Sequence, residues 1–165
     1  MRMIDSMNFL TSFKRLCWLL STLCFLIPIS TSAQFKVDVS GVGMTQLPIA
    51  VVAFKGEDTA PQKTSAIVLA DLERSGQFRS VAVTGMAMDE LTRPDFSQIR
   101  QRSADALLSG SATRLADGRY EVRAKLWDVV TGQERGDFRE TVAVADLRLS
   151  AHRLADWVYE KLTGD

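Results

Sequence analysis

Reactive side chains are few in this chain, and they are scattered. Hydrolytic or redox catalysis needs a nucleophile with its base, a metal-ligand cluster, or two carboxylates tuned apart. The only cysteines, Cys17 and Cys24, sit inside an apolar run near the N-terminus, and the one histidine, His152, lies beside Ala151 at the edge of an amphipathic stripe. A metal site would have to be built from carboxylates. Asp71, Glu73, Asp89 and Glu90 fall on expected helix faces or loops, where solvation accounts for them. Gly41-Val42-Gly43 lacks the third glycine of a dinucleotide fingerprint and precedes the first strong strand. Arg135-Gly136-Asp137 spells an adhesion tripeptide, but Gly136-Asp137 fits a bend. Trp127 shares a strand face with Arg123 and Lys125 and is expected to be half exposed there, the nearest approach to a stacking platform. Packing in the core or at its rim accounts for Trp127, and for Trp157 beside the helix stripe. No catalytic residue, metal or other cofactor is expected.

The segments that carry these residues divide into a leader, an arm and a domain. Lys14 and Arg15 end a basic region, 16–29 is apolar, and Thr31, Ser32 and Ala33 are small, which is the order a secretory leader requires. Cleavage after Ala33 would make Gln34 the new N-terminus. The apolar run is shorter than the roughly 20 residues of a membrane span. Leu23, ahead of Cys24, is too large for lipoprotein processing. Residues 1–33 are therefore expected to be a cleaved signal, leaving no stable membrane insertion.

Removing 33 of 165 residues leaves 132, enough for one domain with a core. Arg2, Lys14, Arg15 and Asp5 go with the leader, leaving 17 basic and 19 acidic residues of the 20 and 20 in the full chain. That balance gives no field to draw nucleic acid or an anionic membrane. Without cysteine, the processed chain must be held by packing alone.

Residues 34–47 alternate at Phe35, Val37 and Val39 before Gly41 and Gly43, as an extended arm would. The domain then spans 48–165. The run 48–54 is apolar and β-branched, the pattern of a strand covered on both faces and the best candidate for the centre of a sheet. Helical spacing follows to Ser75 and Gly76, then a short strand over 80–84 and a small helix opened by Pro94 and Asp95. Three strands come next, over 106–115, 119–130 and 134–144, the first two joined by an Asp117-Gly118 hairpin signal. Leu147, Ala151, Leu154, Ala155, Val158 and Leu162 form one apolar stripe on a closing helix, with Asp146 as its N-cap and Gly164 as its stop. The order implies an α/β (α+β) fold: a mixed sheet of about five strands carrying two main helices.

Several segments together resemble the N-terminal domain of the TolB family of the Gram-negative Tol-Pal system: FKVDVSGVG, PIAVVAF, IVLADLERSGQF, SADALLSGSATRLADGRYEVRAKLWDVVTG and VYEKLTG, in the family's order. The resemblance covers residues 35–164. It implies a non-enzymatic periplasmic protein whose arm contacts the C-terminal domain of TolA, supporting outer-membrane invagination during division and envelope integrity. Carried over by position, the contact residues are Gln34, Phe35, Lys36, Val37, Asp38, Val39, Ser40, Gly41, Val42 and Gly43, with Gly41 and Gly43 as hinge. An alternating segment can add to a partner's sheet edge, with backbone hydrogen bonds for affinity and Phe35, Val37 and Val39 in pockets. Contact with the lipoprotein Pal is implied for a six-bladed propeller, which would follow Asp165 and is not in this chain. The alternatives are a stand-alone envelope adaptor similar to the curli-secretion and penicillin-binding-protein-activator lipoproteins, which carry a lipidated cysteine where Gln34 stands here, and a small periplasmic ligand-binding domain or enzyme using Trp127, Arg123 and Lys125.

Overall fold

The computed structural model describes residues 46–83 and 85–164. Five strands form one sheet in the order β2-β1-β3-β4-β5. They are β1 (Leu47–Val51), β2 (Phe78–Ser80), β3 (Ala106–Arg114), β4 (Tyr120–Asp128) and β5 (Gln133–Val142). The first three run parallel, and β3, β4 and β5 form an antiparallel meander. The sheet is mixed, as the element order requires.

The centre belongs to β3, not to the apolar run of β1. Seven successive residues of β3, from Ala106 to Ala112, are buried because neighbours flank it on both sides and layers cover both faces. Regular pairing of β1 stops at Val51, yet Val52 and Lys55 still donate backbone hydrogen bonds to Leu108 and Gly110. The second strand also lies earlier than its β-branched residues suggest. Phe78–Ser80 pairs with β1, Val81 N–H closes that pairing on the Ile49 carbonyl at 2.9 Å, and Val81 and Val83 point into a second core.

Two helices cover one face: α1 (Thr64–Arg74) and α3 (Leu147–Thr163). Val68 and Leu72 of α1 and Leu147, Ala151, Leu154 and Val158 of α3 meet Ile49, Leu108, Val122 and Leu126 of the sheet. The helix stops obey the expected chemistry, with Gly76 at φ +75° and Gly164 at φ +80°. Asp146 holds the N-cap position of α3 but makes no side-chain cap bond, because a 3-10 turn over Val144–Asp146 leads straight into the helix. α1 is capped from a distance. The carboxylate of Glu57, 2% exposed, accepts from the Ser65 amide at 2.9 Å and its hydroxyl at 2.5 Å.

The other face is covered only in part. The short helix α2 (Phe96–Gln101), capped by Asp95, brings Ile99 and Phe96 over Ala50, Val52, Leu107 and Trp127. Toward β4 and β5 the same face is polar and open.

Candidate functional site

The arm residues 34–43 and the junction Ala33–Gln34 lie outside the described residues; the domain that carries them is described. The root of the arm is held by side-chain and backbone bonds. Gln46 Nε2 donates to the Gly76 carbonyl at 3.1 Å, and Leu47 N–H to that of Gln77 at 2.9 Å. Both acceptors belong to the turn after α1, so the chain enters β1 along the edge next to β2.

Beside this root lies a groove of about 250 Å³ with an apolar floor of Leu47, Ala106, Val130 and Leu162. Its rim carries Asp105, Asp128, Arg135 and Lys161. Asp128 ties the β4–β5 turn, accepting from the Thr131 amide at 2.8 Å and from Arg135 at 2.7 Å. These bonds, the amide foremost, hold its carboxyl below the usual carboxylate range. Of the groove's apolar lining residues, Val130 is 64% exposed. Such a groove offers apolar contact flanked by both signs of charge, suited to an extended peptide.

The open half of the sheet forms a second polar feature, a cleft of about 490 Å³ between Lys55, Glu90, Glu121 and Arg123. Alternation along β4 points Glu121, Arg123 and Lys125 outward, and the register with β5 places Thr141, Arg139 and Asp137 opposite them. Arg123 and Arg139 thus face each other. Glu121 relieves the repulsion by bonding both, at 2.7 and 2.6 Å. The Arg139 hydrogen bond is the main reason its carboxyl sits below its ordinary range. Lys125 lies between Glu134 at 3.0 Å and Asp137 at 3.3 Å, and Glu134 in particular raises its basicity. Asp89 is drawn down to about 2 by the Thr92 hydroxyl, then by Lys55. Each of these shifts favours the charged form. A general acid or base poised near neutrality needs the opposite displacement, so the lattice suits structure and recognition better than proton transfer.

Several expected positions are corrected by their surroundings. Trp127 is buried, not half exposed: its ring meets Phe96 edge-on at 5.7 Å, and Nε1 donates to Ser109 Oγ at 3.2 Å. A bulge at Leu126/Trp127 in the β4–β5 ladder accompanies this placement. Trp127 therefore offers no stacking platform: Lys125 Nζ lies over its ring at 5.4 Å, and of that trio only Arg123 lines the cleft. Gly136-Asp137 lies within β5 and not at a bend, the irregularity there being the same bulge. Glu90 is 8% exposed and accepts from Ser111 Oγ at 2.7 Å, while Asp71 bonds His152 across α1 and α3 as well as Arg74. Neither is merely solvated. Trp157 packs on Phe138 at 5.9 Å, as expected at the stripe's edge. Lys55, Ser111 and Arg139 were not singled out from sequence; the alternation on β4 marks the face but cannot say which residues cross from neighbours.

Among the described residues, no helix is long and apolar enough to cross a membrane, and no group of three or more His, Cys, Asp or Glu side chains could hold a metal ion. A family model described as the TolB amino-terminal domain matches residues 35–135. The chain is 62% identical over 150 residues to the Tol-Pal system protein TolB of Albidiferax ferrireducens, covering 91% of this chain and 34% of that protein. It is likewise 62% identical over 133 residues to the protein of the same name from Polaromonas sp. strain JS666, covering 81% and 31%. The chain thus spans about a third of the length of these curated relatives. Its fold matches a crystal structure of TolB from Acinetobacter baumannii with a TM-score of 0.61 at 28% identity, over 72% of this chain and 29% of that one.

Proposed function

Since the chain belongs to the TolB family, we propose that it is the partner-binding amino-terminal part of a periplasmic Tol-Pal protein, and that residues 34–43 are its contact with the C-terminal domain of TolA. The observation that carries this is the extent of the family match, which begins at residue 35 and so takes in arm and carrier together. The reading is non-enzymatic. The leader 1–33 delivers the chain to the periplasm, cleavage after Ala33 frees Gln34, and the domain from 48 onward holds the arm's root.

The geometry of that root supports the reading. Leu47 and Gln46 are anchored on the turn after α1, so the chain upstream starts from a fixed point. An arm of alternating Phe35, Val37 and Val39 can then add to a sheet edge of the partner. Gly41 and Gly43 serve as the hinge at the base of the arm. Through TolA the domain would serve outer-membrane invagination during division. The resemblance assigns contact with Pal to the family's propeller, so the arm's part in this reading is the contact with TolA.

Calorimetric titration of the chain, with and without residues 34–46, into the C-terminal domain of TolA tests this. Binding that is lost with the arm supports the proposal. Binding that persists without the arm, or fails with it present, refutes it.

A further inference from the structure

β5 is the longest strand of the sheet, and its outer edge pairs with no strand among the described residues. Edge strands are usually blunted by shortness, proline, charge or a bulge. Over its ten residues, QERGDFRETV, β5 has no proline, its bulge is confined to 134–136, and the regular stretch beyond carries charges of both signs. Pairing with β4 puts Asp137 and Arg139 on the open face of the sheet, with side chains 59% and 67% exposed, while Phe138 points to the helix face and rests on Trp157.

A second copy can pair antiparallel with this edge about a twofold axis normal to the sheet. Each side chain then keeps its face, the residue on the axis meets itself, and its two neighbours meet each other. With Phe138 on the axis, Asp137 meets Arg139 of the second copy, and Arg139 meets Asp137. Gly136 falls opposite Glu140, so no like charges are opposed over the regular stretch that begins after the bulge. Shifting the axis to Asp137 sets that residue against itself, and shifting it to Arg139 does the same there. Opposite charges across a ladder stabilise and like charges destabilise, which separates the Phe138 register from both neighbours. The row would run Lys125, Asp137, then Arg139 of the second copy, alternating in sign across the junction.

We propose that β5 is a self-association edge, joining two copies into one ten-stranded sheet with Asp137 and Arg139 paired reciprocally about Phe138. This is independent of the arm and of any partner it binds.

Directly opposed residues lie about 4.5–5.5 Å apart between Cα atoms, within disulfide range. In the full chain with Cys17→Ser and Cys24→Ser, two variants are made, Asp137→Cys and Arg139→Cys, and each is oxidised alone and as an equimolar mixture. The expected result is about tenfold more covalent dimer in the mixture than in either variant alone, because residue 137 opposes 139 and neither opposes itself. Equal yields in all three samples, or no dimer in the mixture, overturn the proposed register. Sedimentation of the unsubstituted chain at about 100 μM provides a test free of substitutions: dimer is expected, and a monomer alone overturns the proposal.

Discussion

Gly110→Ala is expected to be among the most damaging single-methyl additions in this domain. Gly110 sits in the central strand, on the face where Phe54 packs, and a Cβ there would lie 2.4 Å from the Arg123 carbonyl oxygen and 2.9 and 3.0 Å from two Phe54 ring carbons. Ordinary carbon–oxygen contact begins near 3.2 Å, so β3 and β4 would have to part by roughly 0.8 Å where strands normally stand about 4.8 Å apart. The obstructing oxygen is backbone and cannot rotate away. Phe54, 2% exposed, has little room to swing. Overpacking of this kind costs about 1–3 kcal/mol, and a backbone obstruction belongs at the upper end. Alanine recovers about 0.5–1 kcal/mol through its lower unfolded-state entropy. The net loss is about 2–2.5 kcal/mol, or a fall in Tm of about 8–10 °C for a domain of this size. Urea unfolding followed by far-UV circular dichroism, with tryptophan fluorescence as a second probe, measures it. A double-mutant cycle with Phe54→Leu separates the two obstructions: Phe54→Leu should return part of the loss and leave the part due to the Arg123 carbonyl. A Gly110→Ala loss below about 0.5 kcal/mol would refute the close-approach reasoning outright.

Glu57→Ala should lower stability by about 1.5–3 kcal/mol, since it removes two buried hydrogen bonds at the start of α1, and denaturant midpoints will show it. Ser150→Ala should instead stabilise by about 0.5–1.5 kcal/mol, because Ser150 is fully buried in α3, its hydroxyl has no partner, and alanine is the better helix former; a lowered Tm would count against this. Asp89 has a depressed pKa, so its contribution is present above its ordinary 3.8 and is lost as pH falls toward about 2. The Tm difference between the parent and Asp89→Asn should accordingly be largest near neutrality and close by about pH 2; a constant difference would contradict the assignment.

Fold and site differ in how much of each the sequence displays. The hairpin at Asp117-Gly118, the stripe of α3 and the stop at Gly76 rest on local chemistry, and each stands where the spacing places it, with Gly118 at φ +85°. Position within the sheet is not local. The run from Pro48 carries the stronger apolar signature, yet β3, with serines and a glycine in its middle, takes the centre, because Ser109 and Ser111 bond Trp127 and Glu90 and Gly110 admits Phe54. The β-branched residues after β2 mark no strand for a related reason, Val81 and Val83 serving the second core beyond the end of β2. The outward row on β4 was visible as alternation, whereas the opposition of Arg123 and Arg139, and its relief by Glu121, depends on a cross-strand register no local pattern encodes.

Leu47, where the arm joins β1, and Leu162, at the end of α3, line the same groove. This has a mechanical consequence. Tension applied through residue 46 against the end of α3 enters and leaves the domain at one side, so the sheet is not stretched along its length. β1 is loaded at its first residue and would yield by peeling, the Leu47–Gln77 bond opening before the next, rather than by shearing both ladders at once. Under such a load, β1 is the strand that gives way first, while the β3–β5 meander is spared.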